Sequence, residues 1–183
     1  MKLKSLDAVI LLVVLACSSS AGAVDVVTVE GGHSTNVGVN RVGVTANWQL
    51  NDNLASFAGL RVEGYVELGG SYWDGDRGLS GHASLAEVGI APVLRFVPAA
   101  ANSQTRVFGE IGLGAHLMSR SAIDVLDFDH GFAFGSHLGL GVRFGTCDCV
   151  ELSYRFQHLS NAGLGGGDNP GINFNMIRLG YRF

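Results

Sequence analysis

The chain has 183 residues and a formal net charge of −4, and 27 of its residues are glycine. This length suits one domain, and glycines without a three-residue period exclude a collagen-like fibre. The sequence contains no basic run of the kind that follows a phosphate backbone, so nucleic acid is not an expected partner.

The N-terminal residues have the pattern of a secretory signal peptide. Such a peptide has a basic start, an apolar stretch and a cleavage site of small residues. These parts are, in order, Lys2 and Lys4, residues 8–16, and Ala21, Gly22 and Ala23. We therefore expect residues 1–23 to be removed and the mature chain, 24–183, to begin at Val24. A lipoprotein cleavage box at Cys17 is the alternative, but the later site fits ordinary signal peptidase well.

Beyond residue 23, no apolar run approaches the ~20 residues that a membrane-spanning helix needs. Apolar residues recur instead at every second position, which is typical of a β-strand with one apolar face. Leu60, Val62, Val66 and Leu68 alternate in this way with charged and other residues. The same alternation returns in later segments, at 87–96, 110–117, 137–144 and 176–183.

Two architectures fit this alternation. A soluble sandwich buries its apolar face, whereas a membrane barrel turns that face to lipid and encloses polar residues. The strands are long, as tilted spanning strands must be, and their polar face carries charges of both signs that can pair in a narrow lumen. The chain also ends on Phe183, with Tyr181 and Leu179 on the same face. The sequence therefore predicts an all-β fold, an eight-stranded antiparallel transmembrane β-barrel.

The predicted strands cover most of the chain. They span residues 24–33, 37–50, 55–73, 83–98, 104–119, 131–145, 149–161 and 171–183. Short connections are expected on the periplasmic side, at 51–53, 98–103 and 145–148. Longer loops are expected on the extracellular side, at 73–82, 119–130 and 161–170. Because side chains fill the interior of a barrel of this size, we expect no pore.

Some residues in these strands have predicted places of their own. Pro92 cannot donate to the sheet, so we expect a bulge or irregular pairing there. His116 and His137 are expected among the lumen charges. Aromatic residues near strand ends are expected in the interfacial girdles of the barrel: Trp48, Tyr72 and Trp73.

Two further groups are assigned no function. Cys147 and Cys149 lie in a turn where an oxidising compartment permits a disulfide, but so short a loop strains it and two cysteines make a poor metal site. Asp124, Asp127 and Asp129 lack the EF-hand pattern, so an acidic surface loop is expected there rather than a calcium site.

One predicted strand interrupts its outward apolar stripe with two polar residues. Leu152, Tyr154 and Phe156 mark the apolar face, and the same parity places His158 and Ser160 on it. Residues two apart on a strand share a face and lie close together. Such pairs occur by chance, but a His and a Ser can also act as base and nucleophile towards a carbonyl. Polar residues that break an apolar stripe cost burial, which favours the functional interpretation.

The sequence His-Leu-Ser-Asn-Ala-Gly-Leu from His158, with the later Asn-Pro-Gly-Ile from Asn169, resembles the lipid A 3-O-deacylase family, PagL. The resemblance implies an eight-stranded outer-membrane esterase that removes the acyl chain ester-linked at position 3 of lipid A. It implies a Ser–His–Glu triad on the outer barrel surface, with Ser160 as nucleophile and His158 as general base. It also matches Asn161 to a family asparagine important for activity and Asn169 to one proposed near the oxyanion.

One position departs from the family pattern. Where the family has its glutamate after Gly-Ile, this chain has Asn173. Counting by twos from Phe183 places Asn173 on the outward face, where its amide can orient His158 by accepting an N–H. Because an amide carries no full charge, we expect a slower enzyme or an altered pH dependence. Asp168 is an alternative carboxylate, and an inactive site is a further alternative.

The sequence as a whole predicts a carboxylic ester hydrolase, a lipid A deacylase of the bacterial outer membrane with its site toward the extracellular leaflet. An acyl–Ser160 intermediate is expected, with the oxyanion held by following backbone amides and by Asn161 or Asn169. No cofactor or metal is required. The expected partners are lipid A or lipopolysaccharide as substrate and outer-membrane lipids, with a homodimer left open. The alternatives are a non-enzymatic small barrel, structural or adhesive, and a soluble periplasmic sandwich.

Overall fold

The computed structural model describes residues 22–99, 105–164 and 171–183, which form a closed antiparallel barrel. The barrel strands are β1 (Val26–Ser34), β2 (Asn40–Phe57), β3 (Leu60–Asp74), β4 (Ser84–Pro98), β5 (Thr105–Met118), β8 (Phe132–Phe144), β9 (Val150–Ser160) and β10 (Ile172–Arg182). A small separate hairpin consists of β6 (Ala122–Ile123) and β7 (Leu126–Asp127). The barrel closes where β1 pairs with β10, so the predicted eight-stranded fold is confirmed.

Two findings concern the segments outside the barrel strands. Residues 1–21 lie outside the described residues, so the predicted leader, 1–23, stays a prediction. In the described part of the chain, no helix is long and apolar enough to cross a membrane.

Successive residues of each barrel strand point alternately outward and inward, as pleating requires. The outward residues form an apolar belt of exposed side chains, among them Leu94, Leu113, Leu138, Leu140, Ile177 and Leu179. The inward residues are largely charged and are buried. An apolar exterior around a polar interior is the arrangement of a transmembrane barrel and the reverse of a soluble sandwich.

Buried ion pairs fill the middle of the lumen. Arg155 lies 2.5 Å from Glu67 and 2.7 Å from Glu110. Arg178 contacts the same two carboxylates, at 2.5 Å and 3.2 Å. Burial of one unpaired charge destabilises a folded protein by roughly several kcal/mol. This interior can therefore form only because opposite charges are in contact. Because these side chains occupy the space, the lumen is packed rather than open.

The two lumen histidines lie among these charges, as predicted. His116 Nδ1 is 2.5 Å from Glu87 Oε1. His137 lines a lumen cavity of about 20 Å³, room for roughly one water molecule. Within the described residues, His137 Nε2 has no hydrogen-bond partner.

The connections 35–39, 75–83 and 119–131, together with the described residues 161–164 that follow β9, lie at one end of the barrel, called the upper end below. There the lumen is apolar. Trp73 and Phe174 pack edge to face with ring centroids 4.9 Å apart, and Phe128 from loop 119–131 is fully buried in the same cluster. This apolar cap closes the lumen. The girdle prediction for Trp73 is wrong, because its Nε1 donates to Ser71 Oγ at 2.8 Å inside the barrel.

The turn between β2 and β3 lies later than the sequence predicts. Residues 51–53 are not a turn, since β2 continues to Phe57. The turn is formed by Ala58 and Gly59, with φ of 51° and 75°, and two positive φ angles are the type I′ geometry that suits a hairpin. The ladder instead shifts register on both sides of Asn51, so the polar run is an irregularity within a longer strand.

Pro92 interrupts pairing on one side of β4 only. It pairs regularly with Val66 of β3. The β4–β5 ladder skips Ala91 and Pro92 and resumes at Val93 opposite Gly112 without a change of register. The missing N–H explains the gap, so the irregular pairing is confirmed but no bulge forms.

Candidate active site

The polar pair lies at the upper end of β9. Leu152, Tyr154 and Phe156 are exposed on the outer wall, and His158 and Ser160 continue the same parity with half-buried side chains. Residues two apart on a strand lie about 6.6 Å apart. Both side chains therefore belong to the outer wall, where the strand meets the loops, and not to the lumen.

Asn173 forms a hydrogen bond with the Nδ1 atom of His158. It pairs directly with His158 across the β9–β10 ladder, and its Oδ1 lies 2.7 Å from His158 Nδ1. An amide oxygen can only accept, so Nδ1 carries the proton and donates it. This tautomer leaves the lone pair on Nε2, which is the form that a general base requires.

Gly171 gives the imidazole its room. A Cβ at Gly171 would lie 2.5 Å from Cε1 and 3.3 Å from Nε2 of His158, so a larger residue would displace the ring. The β9–β10 ladder begins with the pair of Ile172 and Leu159. If the same register is continued by one residue, Gly171 lies opposite Ser160. The ring therefore leans toward the level of Ser160.

In the structure, His158 and Ser160 are not joined by a hydrogen bond. Among the hydrogen bonds of the described residues, the ring of His158 is held by Asn173, and none joins Nε2 to Ser160 Oγ. Catalytic hydrogen bonds are often long before substrate binds and tighten in the complex.

Strand β8 supplies two neighbours that sequence reasoning missed. Phe134 pairs with Ser160, and Ser136 pairs with His158. Directly opposed residues have Cβ atoms about 4.5–5.5 Å apart. Phe134 is exposed and packs edge to face against Phe132, so the nucleophile has an apolar neighbour on this side. No local pattern in β8 marks these residues, because their relation to the site exists only through strand pairing.

Asn161 points inward and holds a loop. Its side chain is fully buried; Nδ2 donates to Phe128 O at 2.9 Å, and Oδ1 accepts from Gly163 N at 3.0 Å. Ala162 and Gly163 have φ of 55° and 73°, which makes a tight turn directly after β9. The expectation that the Asn161 amide faces the oxyanion does not agree with this placement. Its place is instead that of an anchor between the turn and loop 119–131.

Two other candidates cannot be placed. Asn169, predicted near the oxyanion, and Asp168, predicted as a substitute carboxylate, lie outside the described residues. Their roles stay predictions. The position next to His158 Nδ1 is already taken by Asn173.

The groups without an assigned function remain without one. Cys147 and Cys149 are joined by a disulfide in the turn between β8 and β9. Within residues 22–99, 105–164 and 171–183, no cluster of three or more His, Cys, Asp or Glu side chains could hold a metal ion.

Comparison with known proteins gives matches of sequence and of fold. The family model described as lipid A 3-O-deacylase (PagL) matches residues 40–182. Lipid A deacylase PagL of Pseudomonas aeruginosa is 30% identical over 147 residues, covering 80% of this chain and 79% of that protein. Lipid A deacylase PagL of Bordetella bronchiseptica is 32% identical over 125 residues, covering 67% of this chain.

The Bordetella match spans 64% of that relative, just under two thirds of its length. The crystal structure of the outer membrane enzyme PagL shares the fold, with a TM-score of 0.75 at 22% identity. It covers 86% of this chain and 99% of that one. The family match extends over most of the barrel and includes His158, Ser160 and Asn173, so the chain belongs to the PagL family of lipid A 3-O-deacylases.

Proposed function

We propose that this protein hydrolyses the ester at position 3 of lipid A, in the bacterial outer membrane, at a site that faces the extracellular leaflet. The observation that carries the proposal is the hydrogen-bonded pair of His158 and Asn173 beside Ser160 on the outer wall. A substrate that is itself a membrane lipid reaches such a site by lateral diffusion. The names of both curated relatives, lipid A deacylases, support the same substrate.

The reaction proceeds in two halves. Ser160 Oγ attacks the ester carbonyl while His158 Nε2 accepts its proton, and the resulting imidazolium protonates the departing sugar oxygen. This step forms the acyl–Ser160 ester and leaves a free hydroxyl on the sugar. A water molecule, activated by Nε2, then attacks the acyl–serine, releases the fatty acid and restores Ser160. The chemistry needs no metal or cofactor.

The negative charge on the carbonyl oxygen needs N–H donors. Backbone amides after Ser160 are the nearest donors along the chain. The amide of Gly163 is engaged by Asn161 Oδ1, whereas Ala162 N–H has no acceptor among the described residues. We assign the oxyanion to Ala162 N–H, with Asn169 as a second donor.

The third member of the site is an amide in place of the family glutamate. Asn173 can select the tautomer of His158, because its oxygen accepts from Nδ1. It supplies no negative charge to the imidazolium that forms during attack. The enzyme is therefore expected to be active but slower than a relative with a carboxylate in this place.

The test is mass spectrometry of lipid A from a Gram-negative host that expresses the protein. Loss of one 3-linked hydroxyacyl group is expected with the intact protein and not with Ser160→Ala or His158→Ala. Ser136→Ala is the matched control, because Ser136 lies on the same outer wall beside His158 and has no chemical role in this proposal. Heat-modifiable migration on gels establishes that all variants fold.

Unchanged lipid A from a folded barrel, also after solubilisation in detergent, would overturn the enzymatic proposal. It would leave a non-enzymatic small barrel of the same fold. A homodimer stays a prediction, which cross-linking in native membranes can test.

A further inference from the structure

Loop 35–39, which joins β1 to β2, contacts the active site from the closing seam of the barrel. The β1–β10 ladder ends with the pair of Ser34 and Phe174. Thr35 N adds one more rung by donating to Asn173 O at 2.9 Å. The backbone then turns back, because Ser34 N donates to Val39 O at 2.8 Å. Above this point the edge of β10 has no backbone partner from β1.

The side chain of Asn36 takes the place of that missing partner. Its Nδ2 donates to Gly171 O at 2.7 Å, and its Oδ1 accepts from Asn173 N at 3.1 Å. The two bonded groups, the carbonyl of Gly171 and the N–H of Asn173, lie on either side of one residue, Ile172. A residue of a parallel strand bonds its neighbour in this same way, to the carbonyl before and the amide after. One primary amide thus acts as a one-residue extension of the sheet.

The two residues that Asn36 bonds, Gly171 and Asn173, both contact the ring of His158 and fix its position. Gly171 provides the surface against which the ring of His158 packs, and Asn173 accepts from Nδ1. We propose that Asn36 is a positioning residue of the active site. It holds the start of β10 at the height where Asn173 Oδ1 meets Nδ1–H and Nε2 stays free as the base. The consequence for catalysis rests on the proposed function.

Asn36 is itself held in place before any substrate binds. Ser34 is buried, and its hydroxyl donates to Asn36 Oδ1 at 3.0 Å while it accepts from Asn36 N at 3.4 Å. The family match begins at residue 40, so loop 35–39 lies outside the range on which the family assignment depends. The role of Asn36 follows from the contacts alone.

The amide is the chemical group that this position requires. It presents one donor and one acceptor on the same carbon, whereas a carboxylate presents acceptors only. Asn36→Asp keeps the shape but sets a carboxylate oxygen against Gly171 O. Asn36→Ala removes both bonds. Neither change touches the substrate, His158 or Ser160.

The first measurement is steady-state kinetics on purified lipid A in detergent. Asn36→Ala and Asn36→Asp are expected to lower kcat about 10- to 100-fold, because a small misplacement of a catalytic group costs about that much. KM is expected to stay within about twofold of the wild type. Asn40→Ala is the matched control, since Asn40 follows the same loop as the first residue of β2, bonds His33 and has no hydrogen bond with Gly171 or Asn173 among the described residues. It should retain full activity.

The second measurement does not depend on activity. Nitrogen-15 NMR of the imidazole of His158 in detergent micelles reports which ring nitrogen carries the proton. The wild type is expected to show one tautomer with a slowly exchanging Nδ1–H, and Asn36→Ala a mixture with fast exchange. If Asn36→Ala does not fold, the isosteric Asn36→Asp replaces it in both measurements.

The two measurements separate this inference from the proposed function. A wild type without deacylase activity contradicts the proposed function, and the NMR comparison then decides on Asn36. A tautomer that is unchanged in both Asn36 variants overturns the positioning role, whatever the activity. Unchanged kcat in an active enzyme overturns it as well.

Discussion

Asn173 Oδ1 lies 2.7 Å from Nδ1 of His158, directly across the β9–β10 ladder. The sequence resemblance implies a glutamate in this place in the family. One carboxylate usually both orients the imidazole and stabilises its positive charge. Asn173 can orient the ring, but it carries no charge that would stabilise the imidazolium. If the proposed mechanism holds, variants at Asn173 can therefore test the effect of orientation separately from the effect of charge.

Asn173→Asp should increase activity. Aspartate has the shape of asparagine, so its oxygen can keep the contact with Nδ1 and add a negative charge. Hydrogen bonds to charged groups are stronger by about 1 to 1.5 kcal/mol, which corresponds to roughly a tenfold rise in kcat. The carboxylate favours the imidazolium, so the acidic limb of the pH–rate profile should move to higher pH.

Asn175→Asp is the matched control for that change. Asn175 lies on the same outward face of β10, two residues on, and bonds Tyr154 rather than His158. It adds the same charge to the same wall without touching the base. Equal gains in both variants would mean that the added surface charge, and not the partner of His158, changes the rate.

Gly171→Ala should abolish most activity and leave the barrel intact. The new methyl group would lie 2.5 Å from Cε1 of His158, so the ring must leave its place beside Ser160. A fall in kcat of about 100-fold is expected from such a displacement. Gly31→Ala is the control, because a Cβ there meets nothing within 4 Å. If Gly171→Ala is as active as Gly31→Ala, the assigned position of the His158 ring is contradicted.

The outward position of the candidate site residues was predictable because it depends on a local property. Side chains alternate along every strand, so the parity of Leu152 and Tyr154 extends to His158 and Ser160. Parity also predicts that Asn161 and Trp73 face inward, as the structure has them. The girdle expectation for Trp73 failed because it came from residue type and disregarded parity. The oxyanion role of Asn161 came from the resemblance and also disregarded parity, and it stays a prediction.

Other parts of the site could not be predicted from the sequence. Gly171 and Asn36 matter because chain segments far apart in sequence meet at the seam of the barrel. A primary amide that replaces a strand residue has no sequence signature. The turn at Ala58 was missed for a related reason, since polar residues inside a long irregular strand resemble a turn until the pairing is known.

Arg155→Met should destabilise the barrel strongly. Arg155 neutralises Glu67 and Glu110 inside the lumen, and removal of one partner of a buried pair costs about 3–5 kcal/mol. Urea unfolding in lipid vesicles, followed by tryptophan fluorescence, measures the loss. Arg77→Met is the control, because Arg77 is exposed in loop 75–83 and should change the free energy of unfolding by less than about 0.5 kcal/mol. Similar losses in both variants would show that the lumen network contributes little.

Asn161 offers a test of whether it holds a loop or contacts the oxyanion. Asn161→Ala leaves Phe128 O and Gly163 N without their partners, at a cost of about 1–3 kcal/mol for the buried Phe128 carbonyl and less for the part-buried Gly163 N–H. Loop 119–131 should then open more often, so trypsin should cleave after the exposed Arg120 about tenfold faster or more. Activity should fall because the turn after Ser160 loses its anchor.

Asn161→Asp separates the two bonds of this side chain. Its oxygen can still accept from Gly163 N, which keeps the turn, but it cannot donate to Phe128 O, which frees the loop. We expect fast cleavage at Arg120 together with more activity than in Asn161→Ala. If the asparagine instead donates to the oxyanion, both variants should lose the same activity, since neither has the amide. Loss of activity in Asn161→Ala without faster cleavage at Arg120 would likewise place this residue in direct contact with the reacting ester.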